Sequence, residues 1–256
     1  MSMMTLTLVI AAILAGLAGI LGVRSIVTER KRTRWTILLM MVSFGLQLMW
    51  LGKRGELRAS CPLLDSGEIL VFLAWSISLF YLIVGSAYRI TLLGMFSAPL
   101  VMVMLLIAKI PGMLDDNPVK QTNVDYWGEM HSAISVLSYG ALALGAVSAV
   151  MFLVLDRLLK TRDTSSGLFK KMPPLDTIVG SVVRLTIIGL SFLSIGLACG
   201  FMMRIHGGPH FLVAIVVWLA YLLLLGIWFV RGMTPKKMSV FVVVLFFASL
   251  SVFVVL

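Results

Sequence analysis

The sequence predicts an all-α fold, a polytopic integral membrane helix bundle of about eight transmembrane helices. Of the 256 residues, 60% are hydrophobic and only 12% are charged, whereas soluble domains carry roughly a quarter charged residues. The hydrophobic residues also form long continuous runs. A hydrocarbon core about 30 Å thick is crossed by roughly 20 such residues, and only a helix lets them pair their own backbone groups in lipid.

Eight apolar runs follow one another along the chain. The first is interpreted as a retained span and not a cleaved signal, because basic residues follow it and none precede it. Only Arg89-Ile90-Thr91 separates the third run from the fourth, which indicates a tight hairpin. Before the sixth run, Pro173-Pro174 is expected to open an interfacial helix at Leu175. The predicted spans are 5–23, 35–51, 69–88, 92–108, 131–155, 185–203, 211–230 and 239–256.

The distribution of Lys and Arg predicts the orientation. Fifteen of these 21 residues fall in alternating loops, such as 24–34 and 157–184, and six fall in the opposite set. Positively charged short loops stay in the cytoplasm. With eight crossings, both termini therefore face outward, and we expect a multi-pass protein of the cell (inner or plasma) membrane.

The chain is interpreted as a single transmembrane domain over 1–256, with N-terminal helices at 5–108 and a core at 127–256. The net charge of +10 reflects topology, so no nucleic-acid partner is expected. No nucleotide-binding loop, nucleophile elbow or zinc-protease motif is present, and the protein is not expected to be an enzyme. Cys61 and Cys199 form no CxxC or CxxCH motif, and a disulfide between them stays open.

All three histidines, His131, His206 and His210, fall on the predicted outer side. Imidazole is a common neutral ligand for haem iron, zinc and copper, so this distribution indicates a metal or metallocofactor site. His131 opens the fifth run just after Trp127 and Glu129, a position that suits an axial ligand. The alternative is an interfacial histidine that is hydrogen-bonded to lipid headgroups or to Glu129.

The turn between the sixth and seventh runs reads Arg204-Ile205-His206-Gly207-Gly208-Pro209-His210. We expect it to bring one imidazole opposite His131, with Arg204 placed to pair with a haem propionate; an ordinary short loop is the alternative. His131 and His210 are the predicted axial ligands. Trp127, Trp75 and Trp218 are candidates for stacking on a porphyrin face, or belong to the aromatic belts at the membrane interfaces.

Two further patterns lie inside the runs. Glu68 is the carboxylate nearest the membrane interior, and it is interpreted either as a group that orients an imidazole or accepts a proton, or as part of a helix cap. In the sixth run, Gly189, Gly196 and Gly200 predict close packing of helices.

With these residues in place, the chain resembles the cytochrome c assembly family of haem-handling membrane proteins, the CcsA- and CcmC-like group with its YpjD- and HemX-like branches. In that family, outer-face histidines flank a tryptophan-rich segment and hold haem for delivery to apocytochrome c. The resemblance implies that His131 is the first of these histidines and that His206 or His210 takes the place of the second. It is carried by Trp127, His131, Leu137-Ser138-Tyr139, Pro173-Pro174-Leu175-Asp176, Arg184, the three glycines, Trp218 and Tyr221, and by Glu68, Trp75 and Tyr81 in the third run.

The sequence departs from the family pattern in one stretch. Between Gly200 and Trp218 the family carries a tryptophan-rich signature, but here the chain has no tryptophan, and the seventh run has no histidine. The resemblance therefore implies two functions. The first is a non-covalent carrier of b-type haem at the outer membrane face in cytochrome c biogenesis, with other assembly proteins, apocytochrome c and membrane lipid as partners. The second is a structural or regulatory membrane subunit, in cytochrome assembly or tetrapyrrole synthesis, without bound haem.

A third class, a permease for small solutes or metal ions, is disfavoured. Transport paths usually carry ionisable residues within the membrane, and the predicted spans contain almost none.

Overall fold

The computed structural model describes residues 3–27, 33–87, 93–115, 117–122, 124–160, 174–203 and 209–251. Within these ranges the chain forms eight helices and no strand. It divides into two compact units, unit 1 over Met1–Val124 and unit 2 over Asp125–Leu256. The helices are α1 Met3–Val27, α2 Thr33–Arg58, α3 Ser66–Ala87, α4 Leu93–Ile107, α5 Tyr126–Lys160, α6 Leu175–Phe201, α7 Pro209–Val230 and α8 Pro235–Ser249.

Six of the described helices, α1, α2, α3, α5, α6 and α7, are long and apolar enough to cross a membrane. The other two, α4 and α8, have 15 residues each, which corresponds to about 22 Å of helix. The fold prediction of an all-helical, polytopic membrane protein is confirmed. The orientation, with both termini outward, stays a prediction.

The ends of three helices refine the sequence interpretation. α2 continues to Arg58, beyond the predicted end of its span at residue 51. α6 begins at Leu175, directly after Pro174, and runs without a break into the sixth span, as predicted. α5 has 35 residues, about 52 Å of helix, so it is longer than the hydrocarbon core is thick.

Unit 1 is a ring of four helices in which α1 packs against α2 and α4, and α3 closes the ring by contacting the same two helices. Glycines at every third position of α1, Gly16, Gly19 and Gly22, face α4. A Cβ atom on Gly19 would lie 3.1 Å from the Pro99 ring, and one on Gly22 would lie 3.3 Å from the Cα of Met95. Small residues let these two helices approach backbone to backbone, the usual basis of tight packing in membranes.

Unit 2 is a second four-helix arrangement. α5 packs along α6 and also contacts α8, while α7 lies against α6 and α8. Glycines again line the main seam: a Cβ atom on Gly189 would lie 2.6 Å from the Cγ of Leu142, and one on Gly145 would lie 3.4 Å from the Cβ of Leu185. The packing role predicted for the α6 glycines is confirmed, and this seam carries the candidate site.

Candidate functional site

His131 lies in the second turn of α5, on the face that packs against α6, and is partly buried. Its ring nitrogen Nδ1 lies 2.7 Å from the backbone carbonyl oxygen of Gly196 on α6. A helical carbonyl already accepts the N–H four residues later, but its second lone pair can accept the imidazole as well. The side chain is therefore held by the neighbouring helix and not by the loop that precedes α5.

This contact fixes the chemical state of the neutral imidazole. A carbonyl oxygen can only accept a hydrogen bond, so Nδ1 must carry the proton and the lone pair must be on Nε2. Histidines that bind metals nearly always donate their other ring N–H to a carbonyl or carboxylate in this way, which also fixes the orientation of the ring. In His131, Nε2 is thus the ring nitrogen whose chemistry allows it to accept a hydrogen bond or to coordinate a metal.

The absence of a side chain at Gly200 makes room for the ring. A Cβ atom there would lie 2.9 Å from Nδ1 of His131 and 2.9 Å from the Cε2 atom of Phe211 on α7. Phe211 in turn packs edge-on against Phe201, with ring centroids 4.9 Å apart. The imidazole therefore lies beside an aromatic pair, on a helix surface that tolerates no larger residue.

One turn further along α5, Ser135 faces Gly196, whose Cβ would lie only 2.6 Å from its Oγ atom. That hydroxyl is buried and has no hydrogen-bond partner among the described residues. Buried hydroxyl groups normally find a partner in protein or water. The face of α5 that packs against α6 thus carries, one turn from His131, a buried polar atom whose hydrogen-bonding capacity is unmet among the described residues.

The structure describes the remaining predicted site residues only in part. Trp127 lies in the first turn of α5 and is 43% exposed. His210 is the second residue of α7, and its side chain lies outside the described part of the chain. Arg204 and His206 also lie outside the described residues. The convergence of the three imidazoles therefore stays a prediction, and so do the roles of Arg204 and Trp127.

Two other tryptophans are engaged within their own units. The indole N–H of Trp218 on α7 donates to the Oγ atom of Ser194 on α6, at 2.8 Å. Trp75 on α3 stacks on Phe44 of α2, with ring centroids 5.4 Å apart. These contacts give both rings a packing role inside their helix bundles.

Sequence reasoning missed a buried cluster of four charged residues in unit 1, which we call the charge cluster: Arg54, Arg58, Asp65 and Glu68. The Nε atoms of both arginines donate to Glu68 Oε1 at 2.6 Å, and their Nη2 atoms donate to Asp65 Oδ2 at 3.0 and 2.6 Å. Glu68 is fully buried, and the arginine side chains are about 95% buried. Two cations meet two anions, so the cluster is electrically neutral.

Glu68 uses its two carboxylate oxygens in different contacts, while the roles of orienting an imidazole or accepting a proton stay predictions. Its second oxygen, Oε2, accepts the backbone N–H groups of Leu64 at 3.0 Å and Asp65 at 3.2 Å. Because α3 begins at Ser66, Glu68 occupies the third helical position and reaches back to the capping residue, one half of a capping box. The cap interpretation is confirmed, and the arginines use the other oxygen of the same carboxylate.

The charge cluster also holds the segment between α4 and α5. Asp115 donates its backbone N–H to Asp65 at 2.9 Å, and its carbonyl oxygen accepts Nη2 of Arg54 at 2.7 Å. The backbone N–H of Gln121 donates to the carbonyl oxygen of Arg58. The available sequence signals were the spacing of Arg54 and Arg58, which places them on one face of α2, and the Asp65-to-Glu68 spacing of a capping box.

The pKa of Asp65 is set by opposing effects. Burial raises it, but the hydrogen bond from the backbone of Asp115 and the charge and hydrogen bonds of Arg58 and Arg54 outweigh burial, so the pKa falls below its ordinary value of 3.8. Asp65 is therefore ionised at neutral pH, as an ion pair with two arginines requires.

Comparison with known proteins gives the family. The family model described as Cytochrome C assembly protein matches residues 63–255. The chain is 29% identical over 191 residues to the cytochrome c biogenesis protein CcsA of Chlamydomonas reinhardtii, covering 72% of this chain and 53% of that protein. It is 25% identical over 176 residues to Protein HemX of Brevibacillus brevis, covering 68% and 63%.

A third relative, the CcsA protein of Nostoc punctiforme, is 34% identical over 99 residues, which cover 38% of this chain and 28% of that protein. The chain spans only about half the length of the Chlamydomonas relative. The matched region of the family model nevertheless includes all of α3 to α8, and with them His131 and the glycines of α6. The chain belongs to the cytochrome c assembly protein family.

Proposed function

We propose that this protein binds haem non-covalently at the outer face of the cell membrane, as part of cytochrome c biogenesis, with His131 as an axial ligand. The observation that carries the proposal is the hydrogen bond from Nδ1 of His131 to the Gly196 carbonyl, at 2.7 Å. It orients the ring and leaves Nε2 as the ligating nitrogen. The membership in the cytochrome c assembly family supports the same function.

The described residues fit one side of a haem site. Haem iron takes a neutral imidazole nitrogen as an axial ligand, and His131 offers one beside the apolar rings of Phe201 and Phe211. Within the described part of the chain no three His, Cys, Asp or Glu residues come together as a metal site. A porphyrin already supplies four nitrogens, so one or two protein ligands suffice, whereas a bare zinc ion would need three or four.

The other predicted residues complete the proposal. His210 or His206 would supply the second axial nitrogen, and Arg204 would pair with a propionate through charge-assisted hydrogen bonds. Trp127 would lie against the macrocycle as an aromatic wall. In this arrangement the chain orients and shields its ligand without making or breaking a covalent bond, so we propose a carrier and not an enzyme. Its partners would be other cytochrome c assembly proteins and apocytochrome c.

The test is the absorption spectrum of the full chain purified in detergent from haem-replete cells. We expect a Soret band that His131→Gly abolishes and that added imidazole restores, because free imidazole can occupy the space left by the side chain. Trp218→Phe is the matched control, since that indole already donates to Ser194 and its loss should leave the band in place. A wild-type protein without a Soret band, or one whose band persists unchanged in His131→Gly, contradicts the proposal.

The second candidate function is a membrane subunit that binds an assembly partner or regulates tetrapyrrole synthesis without holding haem. The specific observation in its favour is the stretch between Gly200 and Trp218, which contains no tryptophan. Co-purification separates the two candidates. A partner that remains bound after His131, His206 and His210 are all replaced, in a protein without a Soret band, favours the second.

A further inference from the structure

Unit 2 contains a groove of about 480 Å³ at the end of the bundle opposite His131, where α6 begins and α7 ends. Its floor is α6, which contributes the charged side chains of Asp176 and Arg184. Its wall is α7, which contributes the aromatic rings of Trp228 and Phe229. The groove therefore combines one negative charge, one positive charge and an apolar wall, and the haem proposal uses none of its residues.

The charged residues and Gly180 share one face of α6. Asp176, Gly180 and Arg184 are spaced four residues apart, so they follow one another along the helix. A Cβ atom on Gly180 would meet nothing within 4 Å. Packing therefore does not require glycine at this position, although glycine is less favourable than alanine inside a helix. What the missing side chain does provide is a hollow between the two charges.

The spacing of the charges indicates the size of the occupant. Eight residues separate Asp176 from Arg184, about 12 Å along the helix axis. Side chains on a helix lean toward its N-terminus, and because arginine is longer than aspartate, the Arg184 guanidinium moves further toward Asp176 than the Asp176 carboxylate moves away, which shortens that distance. A small group with an anionic end and a cationic end can span what remains.

The position of the groove in the bilayer follows from the same elements. α6 has 27 residues, about 40 Å of helix against a hydrocarbon core of about 30 Å, so its first turns extend into the headgroup layer. Trp228 is two residues from the end of α7, and tryptophan is enriched at the level of lipid headgroups. The groove thus faces headgroups and not acyl chains.

We propose that the groove binds the headgroup of phosphatidylethanolamine. Its phosphate accepts hydrogen bonds from the Arg184 guanidinium, which matches phosphate oxygens in a bidentate manner. Its primary ammonium donates hydrogen bonds to the Asp176 carboxylate, above the hollow at Gly180. Phosphatidylcholine carries the same charges but has no N–H to donate, and phosphatidylglycerol has no cation to offer the carboxylate. The site therefore selects one headgroup of the three.

The experiment is native mass spectrometry of the full chain in detergent, with the three lipids added separately at equal concentration and with identical acyl chains. We expect phosphatidylethanolamine to exceed phosphatidylcholine by about tenfold in bound fraction, the worth of one charge-assisted hydrogen bond. Asp176→Asn should remove this preference, because neither headgroup then meets a carboxylate. Because the result is a ratio within one variant, partial loss of folded protein does not mimic it.

The second part of the experiment fills the hollow at Gly180. Gly180→Leu should abolish binding of both zwitterionic lipids at this site. Gly226→Leu is the matched control, because Gly226 on α7 also has nothing within 4 Å of its Cβ position and does not line the groove. Equal binding of phosphatidylethanolamine and phosphatidylcholine by the wild type overturns the proposal. So does unchanged binding in Gly180→Leu, or wild-type binding of phosphatidylglycerol that equals or exceeds that of phosphatidylethanolamine.

Discussion

The charge cluster of unit 1 can be compared with the contact between α5 and α6 around His131, Ser135 and Gly196, which we call the histidine seam. Both place polar groups between packed helices, but they differ in how many of those groups have hydrogen-bond partners. In the charge cluster, two arginines and two carboxylates make six hydrogen bonds with one another and with the backbone of Leu64 and Asp65. In the histidine seam, one ring nitrogen of His131 is bound to Gly196, while the hydroxyl of Ser135 has no partner among the described residues.

This difference separates a structural site from a candidate ligand site. In the charge cluster both arginines and both carboxylates already bind one another, and removing one member leaves a buried partner unpaired, which costs stability. A half-satisfied imidazole beside an unsatisfied hydroxyl retains hydrogen-bonding capacity. The buried charges of unit 1 are therefore structural, whereas in unit 2 one ring nitrogen of His131 is left without a partner among the described residues.

The largest effect should come from breaking the charge cluster. Glu68→Gln leaves both arginines buried with only Asp65 as an anionic partner, and loss of one member of a buried ion pair costs about 3–5 kcal/mol. We expect a correspondingly lower midpoint of unfolding in detergent micelles. Glu56→Gln is the matched control on α2, because that side chain is exposed. If both variants unfold at the wild-type midpoint, the cluster does not stabilise unit 1.

The second largest effect should come from filling the space beside the His131 ring. Gly200→Ala puts a methyl group within 2.9 Å of the His131 ring, and such overpacking costs about 1–3 kcal/mol. Gly226→Ala, in open space, should instead be neutral or stabilising by up to about 1 kcal/mol, as alanine is favoured over glycine in helices. Unfolding midpoints of the pair measure the contrast. Two variants of equal stability would mean that α6 can move away from α5 at little cost.

Acid should weaken unit 1 through Asp65. Its folded-state pKa lies below the ordinary 3.8, so its contribution to stability is complete above that value and is lost as the pH falls through the lower, folded-state pKa. The effect is moderate, because the side chain is 22% exposed and water screens its pairs. Unfolding midpoints measured across this acidic range should fall more steeply for the wild type than for Asp65→Asn. Parallel curves would refute this.

The smallest effect is at Ser135. Removing a buried hydroxyl that has no partner relieves an unmet desolvation cost, so Ser135→Ala should be neutral or slightly stabilising. Ser138 is the matched control, since its hydroxyl donates to the carbonyl oxygen of Ser135 at 2.8 Å, and Ser138→Ala should cost about 0.5–1.5 kcal/mol. A larger loss at Ser135 in haem-loaded protein than in haem-free protein would indicate that a bound ligand uses the hydroxyl.

The sequence predicted the helices well, because long apolar runs have one stable form in a membrane. The glycines of α6 likewise predicted that this helix packs closely against a neighbour, although the sequence did not say that the neighbour is α5. It could not predict that α2 continues to Arg58, since arginines normally end an apolar run. Their burial depends on Asp65 and Glu68, which come from the next helix, and such pairing is a tertiary property that no single segment reveals.

The candidate site shows the same limit. The position of His131 at the start of the fifth run was evident from the sequence, but its hydrogen bond to Gly196 joins residues 65 positions apart. The periodicity of one helix does not specify which turn of its neighbour it will meet. The groove of Asp176 and Arg184 could not be predicted from the sequence for a related reason. Its wall residues, Trp228 and Phe229, belong to a different helix.

The glycine face of α1 has a consequence for how the protein is made. Gly16, Gly19 and Gly22 pack against α4, so this face of α1 meets its partner only after α2 and α3, the two intervening helices, have entered the bilayer. Until then the glycine face of α1 is in contact with lipid, and acyl chains fill the space above the glycines less well than the side chains of α4 do. We expect the nascent chain to remain accessible to other membrane proteins during this interval, and to close into a stable unit only when Pro99 is in position.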